Sequence, residues 1–274
     1  TEKIPENILK KDAVINIDDI KIIPDKMMIK GIVQVKLLYI SNLESGETGT
    51  LEYKIEFNKI IDISGVDENS KYSVTPMLGS ISVTYNSDES LINTDIKMCI
   101  TAVAYNDVQM KYLNDTYSMK YDMMTATSQT FLPSIQSEIS ETFGEKSSIS
   151  LSDRNISSII DIWADSSIPM HIDISNSSYA ISGRVPIYIL GMGDDGEIFF
   201  IEKNVDISLP VENNTHAEMM SAEVYACILS TSGKIINGNS IEINMDIKLQ
   251  GIILSDKQIN YITSANSDED SVVD

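Results

Sequence analysis

Apolar and polar side chains alternate along residues 51–57, at the start of an apolar-rich segment that runs to residue 63. Leu51, Tyr53, Ile55 and Phe57 lie on one face of this segment, and charged side chains lie between them. A period of two residues is the period of a β-strand, whereas a helix repeats every ~3.6 residues. The segment is therefore predicted to be a strand with one face on a core and the other face in water.

The same alternation recurs along the chain and favours an all-β fold. It predicts further strands at residues 29–40, 71–85, 91–105, 180–190, 197–209, 218–230 and 240–253. Composition agrees, because 44 of the 274 residues are isoleucine, a β-branched residue that suits a pleated, half-buried surface. Pro76 interrupts one of these segments and is expected at a sheet edge or a bulge, since proline cannot donate to a β-ladder.

The order of these segments occurs twice, which indicates an internal duplication. Setting Gly31 against Gly183 aligns the two halves at an offset of 152, and setting Ile96 against Ile243 gives 147. We therefore predict two tandem related β-sandwich or barrel-like domains with short irregular or helical lead-ins. The predicted bounds are 1–128 for the first domain, 129–263 for a linker plus the second domain, and 264–274 for an acidic flexible tail. Residues 156–163 are predicted as a short helix or an irregular apolar segment.

The charge of the chain excludes two classes of partner. With 20 basic and 41 acidic residues, the net charge is −21 at pH 7. Nucleic acid and anionic membrane surfaces would repel such a chain. No apolar run approaches the ~20 residues that cross a bilayer, and residues 1–30 lack the continuous apolar stretch of a signal peptide. We expect a soluble protein with no nucleic-acid partner and no membrane insertion.

The sequence contains no motif for catalysis or for cofactor binding. His171 and His216, the two histidines, lack metal-ligand spacing to each other or to a cysteine. Asp194, Asp195 and Glu197 are explained by a hairpin turn, although weak calcium binding stays open as an alternative. We expect a protein that is not an enzyme, with no catalytic residues, no cofactor and no dedicated metal site.

Two cysteines, Cys99 and Cys227, lie inside predicted strands. Two cysteines are too few for a scaffold held together by disulfides. Buried, unreactive thiols are one explanation of their position. Crosslinks between copies of the chain in an oxidising assembly are the alternative.

Four tyrosines, Tyr105, Tyr112, Tyr117 and Tyr121, cluster in a polar stretch. Tyrosine is favoured at protein interfaces because its ring is apolar while its hydroxyl stays wet. The cluster is a candidate interface, with a plain amphipathic strand as the alternative. Trp163, the one tryptophan, is expected to pack in the core of the second domain.

The repeated unit resembles a known family. The first copy contains an apolar lead-in at 8–13, Ile29-Lys30-Gly31, a strand at 33–39 and a strand at 51–63. The second copy contains 141–149, 159–164, Ile181-Ser182-Gly183 and 185–190. This order is similar to the SPOCS domain of sporulation and spore-coat-associated proteins, including SipL-like morphogenetic proteins, in two tandem copies.

The resemblance implies protein–protein assembly during spore formation and offers no catalytic residue to transfer. We expect a structural, self-assembling subunit of the endospore outer layers, that is, of the coat, the exosporium or a surface appendage. Its expected partners are copies of itself and other spore-layer proteins. It is expected to be made in the mother-cell cytoplasm and deposited on the spore surface. A SipL-like adaptor that links spore layers and a surface carbohydrate-binding β protein are the alternatives.

Overall fold

The structure is a computed structural model that describes residues 5–86, 91–152, 154–175, 178–211, 220–267 and 271–273. These residues form strands and no helix, so the predicted all-β fold is confirmed. The strands are β1 Asn7–Ile23, β2 Lys26–Asn42, β3 Glu47–Asp62, β4 Lys71–Asn86, β5 Leu91–Tyr105, β6 Met123–Ser150, β7 Ile156–Ala164, β8 Ser167–Ser175, β9 Ser178–Gly193, β10 Ile198–Val211, β11 Met220–Ile235, β12 Ser240–Ser267 and β13 Ser271–Val273. None of the described residues belongs to a helix that could cross a membrane.

The first unit, β1 to β5, packs two sheets against each other. β1, β2 and β3 form an antiparallel sheet with β2 in the centre, and β4 and β5 form an antiparallel pair. Alternate side chains of both sheets point inward because successive residues of a strand face opposite sides. They meet in one core, which includes Ala13, Ile15, Val35 and Val74.

The second unit, β6 to β13, has its own core. β9 pairs with β10 on one side and with both β7 and β8 on the other, while β12 lies between β11 and β6. β8 also pairs with β11 and so joins the two layers into one eight-stranded sheet. Ile181, Ile187, Ile243 and Ile247 lie in the core and are fully buried.

The strand pairings of the two units correspond to each other. Lys10 pairs with Leu38 in the first unit, and Asp161 pairs with Leu190 in the second. A β-bulge directly precedes each of these pairs. Leu38 and Leu190 are 152 positions apart, which is the offset found in the sequence. Corresponding strands of the two units therefore share both register and bulge.

Strand β7 differs from the helical or irregular segment predicted at residues 156–163. Ile156, Ile159, Ile160 and Trp163 have the spacing of a helix face, with positions i, i+3, i+4 and i+7. In the structure, two bulges shift the pairing of β7 with β9. Each bulge moves the alternation by one residue, so apolar side chains no longer recur at every second position. A bulged strand therefore resembles a helix in sequence.

Strand β6 spans the boundary predicted at residue 128. It pairs with β12 along its whole length, from Met123 opposite Ser267 to Ser150 opposite Ser240. Residues 123–128 therefore extend the sheet of the second unit. Part of the predicted flexible tail also lies in strands, because residues 264–267 continue β12 and β13 pairs with it.

The two glycines that aligned the halves are expected to differ in their tolerance of alanine. A Cβ at Gly31 would lie 2.4 Å from the backbone carbonyl oxygen of Asn16. A Cβ at Gly183 would lie 2.5 Å from the Sδ atom of Met170, the end of a flexible side chain that can move away. Gly31→Ala should lower the free energy of unfolding by about 3 kcal/mol, and Gly183→Ala by about 1 kcal/mol.

Urea denaturation of the two variants tests this difference. Equal losses of stability in Gly31→Ala and Gly183→Ala would contradict it. The cost of the added Cβ would then be the same whether it contacts a fixed backbone atom or a movable side chain.

Candidate functional site

The four tyrosines of the predicted interface do not share one strand. Tyr105 ends β5, and its hydroxyl donates to a carboxylate oxygen of Glu223 in the second unit. Burial, and then this hydrogen bond, raise the pKa of Tyr105 to about 12. Tyr112, Tyr117 and Tyr121 lie in the irregular segment after β5, where Tyr117 is 84% exposed. These three do not form an amphipathic strand, and their role as an interface stays a prediction.

The two cysteines lie in different surroundings and both are free thiols. Cys99 is exposed on β5. Cys227 is buried on β11, where its thiol donates to the carbonyl oxygen of Ile15 at 3.4 Å across the boundary between the units. Burial raises the pKa of the Cys227 thiol to about 11. A crosslink from Cys227 to another chain would first require the two units to separate.

The two thiols are therefore expected to react at very different rates. At pH 8 in native buffer, Ellman's reagent should modify Cys99 within minutes, because the reagent can reach this exposed thiol directly. Cys227 should stay unmodified until denaturant is added. Mass spectrometry of the labelled peptides identifies each site. Equal labelling of both cysteines in the native chain would contradict the close packing of the units.

The histidines and the acidic turn form no metal site in the described part of the chain. His171 is exposed on β8, with its Nε2 atom 3.4 Å from Oδ1 of Asp173, and His216 lies outside the described residues. Asp195 Oδ1 accepts a hydrogen bond from the backbone N–H of Glu197 at 3.0 Å, as in a hairpin turn. No group of three or more His, Cys, Asp or Glu side chains suited to a metal occurs among these residues. Weak calcium binding stays a prediction.

A buried ion pair joins the two units. The side chain of Asp161, on β7, is 1% exposed and lies between two lysines of the first unit. Its Oδ2 atom is 3.0 Å from Lys10 Nζ, and its Oδ1 atom is 2.7 Å from Lys36 Nζ. Oδ1 also accepts the backbone N–H of Ile162 at 2.9 Å. Both carboxylate oxygens of Asp161 therefore have polar partners, and most of these partners belong to the first unit.

The lysines of this cluster are partly withdrawn from water. Burial lowers the pKa of Lys10, and the hydrogen bond and charge of Asp161 oppose that effect. Lys36 Nζ also donates to the carbonyl oxygen of Ile162 at 3.3 Å. Desolvated charges are stable only when they are paired and hydrogen-bonded. The three side chains therefore depend on one another and hold β1 and β2 against β7.

Three aromatic rings form a cluster on the outer face of the second unit. Trp163 on β7 lies 5.6 Å from Tyr188 on β9 and 6.0 Å from Phe200 on β10, measured between ring centroids, and Tyr188 and Phe200 are 6.1 Å apart. Phe200 is 57% exposed. Lys10 Nζ lies 3.3 Å from the centroid of Trp163 and joins this aromatic cluster to the ion pair. Trp163 therefore lies at the edge of the boundary between the units, whereas it is predicted from the sequence to pack in the core of the second unit.

Further polar contacts join the first unit to the second unit at other strands. Lys248 on β12 donates from Nζ to the carbonyl oxygen of Ile17 at 2.6 Å. Lys71 on β4 and Glu138 on β6 form an ion pair of 2.8 Å, although both side chains are about half exposed. The boundary therefore combines one buried charge cluster with weaker pairs at its rim.

Comparison with known families gives a match in the first unit. Residues 5–86 match the family described as SipL, SPOCS domain. This range covers β1 to β4 and supports the family resemblance seen in the sequence. The match indicates a sporulation-related role. That the second unit is another copy of the same domain stays a prediction. No curated protein and no solved structure gives a significant match.

Proposed function

We propose that this chain is a non-enzymatic, self-assembling structural subunit of the endospore outer layers, in the coat, the exosporium or a surface appendage. The match of residues 5–86 to the SPOCS family is the observation that carries the sporulation part of the proposal. In this proposal the chain is made in the mother-cell cytoplasm and deposited on the spore surface. Its partners are copies of itself and other spore-layer proteins.

The architecture supports assembly through strands. The described strands run to 28 residues, and β3, β5 and β10 each pair on one edge only within the described part of the chain. An unpaired strand edge presents backbone donors and acceptors that another chain can pair with. The net charge of −21 keeps free subunits apart by repulsion, so docking is expected to be favoured at higher ionic strength.

The oligomeric state of the purified chain tests the proposal. Sedimentation velocity and negative-stain microscopy over a wide concentration range, with and without calcium and oxidant, should show defined oligomers, ribbons or filaments. A chain that stays monomeric at every concentration and condition would count against self-assembly. Fluorescent fusions in sporulating cells would test the location, and a diffuse signal outside the spore would contradict it.

An adaptor that links spore layers, similar to SipL-like proteins, is the second candidate. The family match favours it as much as it favours a structural subunit. The two differ in their main partner. Pull-down from sporulating cells should recover mainly copies of the chain if it is a structural subunit, and mainly one different spore protein if it is an adaptor.

Carbohydrate binding at the surface is a third candidate, and the aromatic cluster of Trp163, Tyr188 and Phe200 favours it. Stacked, partly exposed rings can bind the apolar faces of sugars in the way that they bind other apolar surfaces. Phe200→Ala removes the most exposed ring and leaves all three charged side chains of the ion pair in place. If the aromatic cluster binds sugars, this variant should lose affinity for cell-wall glycans. Equal binding by the wild-type chain and the variant would exclude the cluster as a sugar site.

A further inference from the structure

Strand β5 differs from its counterpart in the second unit at one edge. β5 pairs with β4 and with no other strand in the described part of the chain. Its counterpart by sequence alignment is β12, which pairs with β11 on one edge and with β6 on the other. The outer edges of β3 and of its counterpart β10 are both unpaired in the described residues. At its open edge, β5 therefore lacks the neighbour that β6 provides for β12 in the second unit.

Side chains at corresponding positions of β5 and β12 differ in burial, and the strand with the open edge is the more exposed one. Ile96, Met98 and Ile100 of β5 point toward the core of the first unit but are only partly buried. Their counterparts in β12, at an offset of 147, are Ile243, Met245 and Ile247, which are at most 1% exposed. A strand along the open edge of β5 would cover its apolar face as β6 covers that of β12.

The charges of β5 indicate which kind of strand could pair with its open edge. Asp95 and Lys97 flank Ile96 on the exposed face, and neither forms an ion pair with another described residue. Suppose that a second β5 runs antiparallel with Ile96 opposite Ile96. Asp95 of each copy then lies opposite Lys97 of the other, which gives two cross-strand pairs of opposite charge. The same register places Ile92 opposite Ile100 on the apolar face.

We propose that two copies of this chain pair through β5, antiparallel and with Ile96 at the twofold axis. The inference rests on the proposed self-assembly and names one contact edge for it. The contact is isologous, because both copies use the same edge. It forms a closed pair, so longer assemblies need a second surface elsewhere on the chain.

A charge exchange on β5 tests the register. Asp95→Lys places lysines opposite each other in the pair, and Lys97→Asp places aspartates opposite each other. Each single variant should raise the dissociation constant of the dimer at least tenfold, and the double variant should restore it, because the charges are then opposite again. Sedimentation velocity in a reducing buffer measures all four proteins and keeps the exposed Cys99 out of the result.

Lys30→Asp is the matched control. Lys30 is also exposed, but it lies on β2, the central strand of its sheet. This control should leave the dimer unchanged, and thermal unfolding should show that every variant is folded. A dimer that survives both single variants, or that the double variant fails to restore, would overturn the contact.

The outcomes separate this inference from the proposed function. Assembly that is insensitive to the β5 charges overturns the β5 contact but leaves self-assembly standing. A segment of another strand that pairs with β5 would appear as assembly without rescue in the double variant, and it too overturns the twofold contact. A chain that is monomeric at all concentrations overturns both.

Discussion

Asp161→Ala is expected to lower the free energy of unfolding by about 3 kcal/mol, because the change leaves Lys36 without its counter-charge and leaves Lys10 with only the carboxylate of Asp12, 3.9 Å away. The side chains of Lys10 and Lys36 are about one quarter exposed, so neither can reach water fully without moving the units apart. Trp163 reports on the same event, since Lys10 lies over its ring. Denaturation followed by tryptophan fluorescence measures both the stability and the change at the boundary.

A surface pair provides the control for this prediction. Asp206 forms an ion pair of 2.9 Å with Arg184, and both side chains are at least 67% exposed. Asp206→Ala should change the stability by less than about 1 kcal/mol, since exposed pairs contribute little. Replacing all three charges together, as Lys10→Met, Lys36→Met and Asp161→Leu, should recover most of the loss. If Asp161→Ala were as mild as Asp206→Ala, the buried cluster would not hold the units together.

Gly251→Ala is expected to be the most destabilising glycine substitution, with a loss of about 4 kcal/mol. Gly251 lies on β12 with φ +147°, a conformation that side chains of L-residues rarely adopt. A Cβ there would lie 2.0 Å from the carbonyl oxygen of Glu223 and 2.7 Å from Cα of Val224, both on β11. Neither atom belongs to a movable side chain, so β11 and β12 would have to separate locally.

Gly144 on β6 is the matched control for Gly251. A Cβ at Gly144 meets one atom within 4 Å, the carbonyl oxygen of Met245 at 3.9 Å, which is an ordinary contact. Gly144→Ala should be neutral or stabilising by up to about 1 kcal/mol, because alanine restricts the unfolded chain more than glycine does. Urea denaturation compares the two variants. A Gly251→Ala variant as stable as Gly144→Ala would show that the strands tolerate the added methyl group.

Strands whose apolar positions alternate clearly are predicted from the sequence, and some strands without that pattern are missed. Residues 71–85 and 91–105, where apolar positions alternate, are confirmed as β4 and β5. β7 is missed because its two bulges disturb the alternation. β6 is missed because its Ser-, Thr- and Glu-rich sequence has the composition of a linker, and only its pairing with β12 makes it a strand.

The contacts at the boundary between the units cannot be predicted from the sequence, for a different reason. Lys10 and Asp161 are 151 positions apart, and nothing in the local sequence of either distinguishes it from the many other charged residues of the chain. Their contact depends on how two separately folded sheets pack. One signal is the difference between Asp12 and Trp163, which occupy corresponding positions opposite Lys36 and Tyr188, since an aromatic ring in place of a carboxylate indicates a changed environment. That difference marks one position at the boundary between the units, but it does not indicate that Lys10 pairs with Asp161.

Lys10 and Asp161 occupy corresponding places in the two units, each after a bulge and each opposite a leucine. If two first units met in this way, lysine would face lysine, and two second units would place aspartate against aspartate. Such like-charge contacts in a partly dry boundary are unfavourable. We therefore expect a first unit to pack against a second unit, whether of its own chain or of a neighbouring copy, in preference to a unit of its own kind.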